Sequence, residues 1–120
     1  MGGESALVVR GQVVVPADVR AAETASLIVS VEDVSRADAP SLVIGEQRQE
    51  GVQLTAGAIL PFQVEVPKEL VDARHSYSVR AHLDLSGSGT VEIGDLVSTQ
   101  SYPVLTRGHS DEATIEVKRV

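Results

Sequence analysis

Tyr77-Ser78-Val79-Arg80-Ala81-His82-Leu83-Asp84-Leu85 is the stretch that decides the fold of this chain. Apolar side chains occupy every second position, and polar or charged side chains fill the positions between them. A period of two is typical of a β-strand that buries one face and exposes the other. We therefore expect Val79 and Leu83 to be buried, and Arg80 and His82 to point to solvent.

The same alternation recurs along the chain on both sides of this stretch. The apolar sets are Leu7, Val9, Gly11, Val13 and Val15; Ala25, Leu27, Val29 and Val31; Phe62, Val64 and Val66; and Ala113, Ile115 and Val117. A shorter apolar run covers residues 41–47, and an interrupted run covers residues 91–97. Repeated short strands with turn residues between them favour an all-β, single-domain antiparallel β-sandwich, immunoglobulin-like, with about seven or eight strands.

The connections follow from the segments that lack this period. Ser86-Gly87-Ser88-Gly89 predicts a hairpin tip, and residues 49–58 predict a long loop. Lys68 to Ala73 follows a proline and predicts one helical turn. Residues 1–5 are expected to be a flexible segment ahead of a domain that covers residues 6–120.

Composition excludes several classes of function. The chain has 120 residues, a net charge of −7 and an aromatic fraction of 2%, so binding to a nucleic acid by charge or base stacking is disfavoured. It contains no Cys, which excludes disulfides, thiolate zinc sites and thiol catalysis within these residues. No apolar run has the roughly 20 residues that span a bilayer.

Motifs of catalysis or metal binding are not found in the sequence. The three histidines, His75, His82 and His109, are scattered, and none has a partner at metal-ligand spacing. No G-x-S-x-G nucleophile elbow or phosphate-binding loop occurs. We expect no enzyme activity, no cofactor and no zinc or calcium site.

Two neighbouring segments are candidates for binding a partner. Asp33, Ser35 and Asp38 can bond nearby backbone N–H groups as a structural turn, and together with Arg36 they form a candidate recognition loop. The short strand that follows contains Leu42, Val43 and Ile44, a candidate edge to which a partner segment adds as an extra strand. The alternative is that this edge is solvated or covered by the loop at residues 49–58.

Four segments, in this order, resemble the YbaY/YscW family of small bacterial lipoproteins. They are Val31-Glu32-Asp33-Val34-Ser35-Arg36-Ala37-Asp38-Ala39-Pro40, Pro61-Phe62, Arg74-His75-Ser76-Tyr77-Ser78-Val79-Arg80-Ala81 and Tyr102-Pro103-Val104-Leu105-Thr106. The resemblance implies a β-sandwich, no catalytic residues and, as in the type III secretion pilotins of the family, a secretin-like envelope protein as partner. It implies a location in the periplasm or at the outer membrane if a leader has been removed, and in the cytoplasm otherwise; membrane attachment needs a lipid-bearing Cys beyond these residues.

The sequence thus predicts a non-enzymatic, envelope-associated binding or chaperone-like domain that recognises a protein segment. The alternative is a domain that binds a small molecule or polysaccharide of the envelope. Sugar-binding sites use exposed aromatic side chains, and the sequence has only Phe62, Tyr77 and Tyr102. This scarcity favours a protein partner.

Overall fold

The computed structural model describes residues 6–19, 23–36 and 38–120, so the expected flexible segment at residues 1–5 lies outside them. Within these residues the regular structure consists of eight strands and a 3-10 turn at Lys68–Leu70, which confirms the all-β single domain. The turn lies where Pro67 predicts it. The strands are β1 (Ala6–Val14), β2 (Glu23–Asp33), β3 (Leu42–Leu54), β4 (Ile59–Pro67), β5 (Tyr77–Asp84), β6 (Leu96–Ser98), β7 (Pro103–Val104) and β8 (Glu112–Arg119).

The strands form one mostly antiparallel sheet that is nearly barrel-shaped. Their order is β3-β2-β5-β6-β8-β1-β4, and β7 pairs with β5 beside this path. The first half of β8, Glu112 to Glu116, pairs in parallel with β1, whereas its last residues, Val117 to Arg119, pair antiparallel with β6. The two layers expected of a sandwich are therefore joined into one continuous sheet through β8.

The core is formed by the apolar sets that the alternation singled out. In β5, Tyr77, Val79, Ala81 and Leu83 are buried, as predicted, and Arg80 is exposed. The matching buried residues of the other strands are Val9, Val13, Ala25, Leu27, Val29, Val31, Phe62, Val64, Val66, Ile115 and Val117. Their burial inside the curved sheet supplies the apolar stabilisation of the fold.

The two end strands, β3 and β4, meet through side chains. Gln47 Oε1 accepts a hydrogen bond of 3.1 Å from the Gln63 N–H, and Gln49 Nε2 donates one of 3.0 Å to the Pro61 carbonyl. At Gly45 the backbones come so close that an added Cβ would lie 2.7 Å from the Glu65 carbonyl oxygen. These contacts nearly close the barrel.

The prediction of a long loop at residues 49–58 is wrong. Strand β3 continues to Leu54, because β2 offers it backbone partners as far as the pair Glu23 and Leu54. The alternation persists there in polar form, with half-buried Gln49 beside exposed Arg48 and Glu50. A polar strand of this kind lacks the apolar period by which strands are recognised.

The interrupted strand predicted at residues 91–97 is also shorter than expected. Only Leu96–Ser98 is strand, and residues 85–95 form a connection between β5 and β6 that is longer than a hairpin tip at Ser86–Gly89. Buried carboxylates accept hydrogen bonds from the backbone of this connection, as described below. No helix in the described part of the chain has the length and apolar character to cross a membrane.

Candidate functional site

The strand register brings both candidate partner segments to one end of the sheet. Asp33, at the end of β2, lies opposite Leu42 of β3 on one side and opposite Tyr77 of β5 on the other. The connections at residues 34–41 and 68–76 therefore meet at this end.

The Asp33 carboxylate holds these two connections together. Its Oδ1 accepts hydrogen bonds from the Ser35 N–H at 3.0 Å and the Ser35 hydroxyl at 2.6 Å, and its Oδ2 lies 2.7 Å from His75 Nδ1. Ser35 Oγ in turn accepts a bond of 2.9 Å from the Ser76 N–H. The bonds to Ser35 are the turn chemistry that the sequence predicts for Asp33, and those to residues 75 and 76 link two distant segments.

These contacts lower the pKa of the Asp33 carboxyl and keep it ionised. Desolvation by the surrounding protein raises the pKa of the Asp33 carboxyl, but the hydrogen bonds from Ser35 and His75 outweigh it, so the pKa lies below its ordinary value of 3.8. The ionised carboxylate is occupied by protein donors on both oxygens, which suits a structural role better than proton transfer.

The connection at residues 105–111 also contacts this end of the sheet, through side-chain bonds to the connection at residues 68–76. Leu105 and Arg107 have positive φ values of 75° and 60°, a conformation that is rare for these residue types. In this conformation the Thr106 hydroxyl donates to the His75 carbonyl, and Arg107 Nη2 donates to the Arg74 carbonyl. Sequence reasoning missed both contacts because they join residues more than 30 positions apart.

Between these segments lies a cleft of about 350 Å³, here called the loop cleft. It is lined by Asp33, Ser35, Arg36, Ala39, Pro40, Leu42 and His75. The side chain of Leu42 is 66% exposed although it is large and apolar, and Arg36 is exposed beside it. The lining thus combines apolar residues (Ala39, Pro40 and Leu42) with the charged Asp33 and Arg36, an arrangement that can bind an apolar side chain and orient its neighbours.

The structure divides the remaining candidate residues. Asp38 is exposed but lies outside the lining of the loop cleft. Val43 is 50% exposed, whereas Ile44 is buried, so the Ile44 side chain is not available at this surface. The cause is a β-bulge: Val31 pairs with Gly45 and Glu32 with Val43, which leaves Ile44 as an extra residue turned into the core.

A second polar cluster lies at the opposite end of β5, and it contradicts the prediction that His82 points to solvent. His82 is buried, and its Nε2 lies 2.8 Å from Asp95 Oδ2. Asp84 and Asp95 are buried as well. Asp84 accepts bonds from the N–H groups of Gly87 and Gly89 at 2.9 and 2.8 Å.

Asp95 completes this cluster, here called the carboxylate hub (His82, Asp84 and Asp95). It accepts bonds of 3.0 and 3.1 Å from the N–H groups of Leu85 and Glu92. Ligand atoms of the hub lie within 4.8 Å of one another, a spacing that a metal ion could bridge. The same oxygens already receive backbone N–H donors, so the geometry favours a structural hub that fixes residues 85–95.

The hub makes stability depend on pH in the acid range. Burial raises the pKa of Asp84 and of Asp95, but the backbone and side-chain hydrogen bonds prevail, and both values lie below 3.8. The unfolded chain therefore takes up protons first as the pH falls, and stability that is fully present above about pH 5 is lost progressively below about pH 4.

We expect the urea midpoint to fall between pH 5 and pH 3, and Asp84→Asn to make this fall shallower. The variant removes one group whose pKa differs between the folded and unfolded states. Urea unfolding at pH 7, 5, 4 and 3 measures both effects, and equal midpoints at pH 7 and pH 3 for the unmodified protein would contradict the expectation.

Comparison with known proteins supports the resemblance found in the sequence. The family model described as "Type III secretion system lipoprotein chaperone (YscW)" matches residues 4–117. The structure of an alternative pilotin from the type II secretion system of Vibrio cholerae superposes with a TM-score of 0.77, covering 96% of this chain and 97% of that chain at 24% identity, and so shares its fold. No curated protein matches the sequence significantly. Because the family model spans almost the whole chain, this protein belongs to the YscW family of type III secretion system lipoprotein chaperones.

Proposed function

We propose that this domain is a non-enzymatic, pilotin-like chaperone of the bacterial cell envelope that binds a segment of a secretin-like protein at the loop cleft. Membership of a lipoprotein chaperone family and the shared fold of a pilotin support this class of function. They also support a location in the periplasm or at the outer membrane.

The observation that carries the proposal is the exposed Leu42 in the lining of the loop cleft. A large apolar side chain that is 66% exposed beside a rim of charged groups provides contact area for a partner side chain. The hydrogen bonds of Asp33 to Ser35 and His75 fix both walls before any partner arrives. A preformed site loses little conformational entropy on binding, which favours affinity.

The first residues of β3 extend this site into an edge. Strand β3 stands at one end of the sheet order, so it has one pairing partner, β2. Further along, Gln47 and Gln49 attach β3 to β4. The accessible part is therefore Leu42 and Val43, enough for one or two backbone hydrogen bonds to an extended segment beside the cleft.

The aromatic residues give no support to a polysaccharide site. Phe62 and Tyr77 are buried, and Tyr102 is half-buried with its hydroxyl accepting a bond from the Glu116 N–H. These are all the aromatic residues of the sequence. A stacking platform for sugar rings is therefore missing from the described surface, whereas the loop cleft has Ala39, Pro40 and Leu42 in its lining.

The test is binding of labelled peptides that tile a secretin subunit from the same genome, followed by fluorescence anisotropy. We expect one segment to bind, and Leu42→Asp to weaken its binding at least tenfold because it places a charge among the apolar residues that line the cleft. Ile59→Asp is the matched control, since Ile59 is also exposed but belongs to β4 and lies outside the cleft. Equal losses in the two variants, or no binding by any peptide, would reject the proposal.

A further inference from the structure

We propose that residues 91–95 form a second contact surface, a rigid apolar knob made by Ile93 with Val91 beside it, which docks into an apolar, basic-rimmed pocket on a folded domain of the same envelope partner. Ile93 is 93% exposed and Val91 is 42% exposed. This inference rests on the proposed function, because it names a further part of that partner.

Local geometry forces Ile93 outward. The Asp95 N–H donates a hydrogen bond of 3.0 Å to the Glu92 carbonyl, which closes a four-residue turn with Ile93 and Gly94 at its corners. Gly94 has a φ of 102°, as the third residue of a type II turn requires. Ile93 therefore occupies the second position, where a side chain projects away from the chain on either side.

The turn is also fixed to the body of the domain. The Gly94 carbonyl accepts a bond of 2.7 Å from Arg119 Nη1, and the Gly94 N–H donates one of 3.2 Å to the Val120 carbonyl. Asp95 anchors the base of the turn in the carboxylate hub. The backbone of the turn is held in this way before binding, so docking orders little further backbone.

The carboxylate hub bonds to the backbone of the connection that carries Ile93. Burying His82, Asp84 and Asp95 costs desolvation free energy, and the hydrogen bonds of the two carboxylates go largely to a surface connection and not to the core. The molecule thus uses buried polar groups to hold an exposed isoleucine in place. Ile93 is the most exposed large apolar side chain of the described residues, and it stands on this anchored turn with Val91 two residues away.

Charge decides which kind of partner fits. Glu92 is exposed, and it is the only charged residue between Asp84 and Asp95. The chain as a whole carries a net charge of −7. The Arg119 guanidinium, which bonds to the Gly94 carbonyl, is paired with Glu23 at 3.7 Å. The acidic side chain of Glu92 next to Ile93 therefore suits a pocket with Lys or Arg at its rim and is repelled by an anionic lipid surface.

The experiment compares two probes: the purified full-length secretin subunit in detergent, and the cleft-binding peptide from the same subunit. We expect Ile93→Asp to weaken binding of the full-length subunit at least tenfold and to leave peptide binding unchanged. Glu92→Lys should weaken binding of the full-length subunit less, and the loss should shrink at high salt. Ile59→Asp is the matched control, because Ile59 is an exposed isoleucine of β4 that belongs neither to residues 85–95 nor to the lining of the loop cleft.

The outcomes separate this inference from the proposed function. Unchanged binding of the subunit by Ile93→Asp overturns the knob and leaves the cleft standing. A parallel loss of peptide binding also overturns it, since Ile93 would then act through the cleft or the fold. If the domain floats with vesicles of phosphatidylcholine and phosphatidylglycerol, and Ile93→Asp abolishes this flotation, the knob binds a membrane. That result would overturn the proposal of a protein pocket. Failure of both probes to bind the unmodified domain would reject both proposals.

Discussion

Asp95→Ala is expected to lower the free energy of unfolding by about 3–5 kcal/mol at pH 7, as when one member of a buried pair is removed. The substitution leaves three groups without their acceptor: the buried ring nitrogen of His82, and the part-buried N–H groups of Leu85 and Glu92. Each unsatisfied buried donor costs about 1–3 kcal/mol, and local rearrangement recovers part of the sum. Urea unfolding followed by circular dichroism measures the change.

Asp111→Ala provides the control for this experiment, because Asp111 is an exposed aspartate outside the carboxylate hub. Its loss should stay within about 0.5 kcal/mol. A loss below about 1 kcal/mol for Asp95→Ala would show that residues 85–95 are not held by the hub. It would also remove the argument that Ile93 is presented on a rigid turn.

The case of β5 shows why a period of two reports only one face of a strand. The apolar positions Val79 and Leu83 are buried, as their spacing predicts. The polar positions His82 and Asp84 are buried too, because the connection at residues 85–95 folds over the outer face of β5. A loop that covers a polar face leaves no periodic signal within the strand itself.

The contacts around the loop cleft are of two kinds, between residues close along the chain and between residues far apart. The bonds from Asp33 to Ser35 span two residues, so turn propensities predict them. The contacts of Asp33 with His75, and of Ser35 with Ser76, span 42 and 41 residues. They depend on the pairing of β2 with β5. Alternation shows which segments are strands, but it does not show which strands pair.

The sequence predicts that the domain is all-β, but it does not predict the order in which the strands join into one sheet. Five of the eight strands, β1, β2, β4, β5 and β8, show apolar alternation, which suffices to predict an all-β domain. Strand β8 pairs with β1 through Glu112–Glu116 and with β6 through its last residues. Its own sequence does not indicate this change of partner, because it alternates evenly from Ala113 to Lys118. Strand order is decided by packing between strands that are distant along the chain.

Gly11 lies in β1 at a position where a larger side chain would disrupt the pairing of β1 with β8. It lies opposite Phe62 of β4 on one side and opposite Ala113 of β8 on the other. A Cβ added at Gly11 would overlap the carbonyl oxygen of Ala113, which is a backbone atom and cannot rotate away. The overlap can be relieved only if β1 and β8 move apart, and their parallel pairing is the link that joins β1 and β4 to the rest of the sheet.

Gly11→Ala should therefore cost about 3 kcal/mol, the upper end of the range for an overpacked interior, and Gly11→Val should cost more. Gly57→Ala is the contrasting variant: Gly57 has a φ of 70° and open space around its Cβ position, so only the left-handed conformation is penalised, by about 1–2 kcal/mol. Ala113→Gly should not rescue Gly11→Ala, because the clash involves the carbonyl of Ala113 and not its methyl group. Rescue by Ala113→Gly in urea unfolding, or a cost for Gly11→Ala below that of Gly57→Ala, would mean that β1 and β8 are not paired at this register.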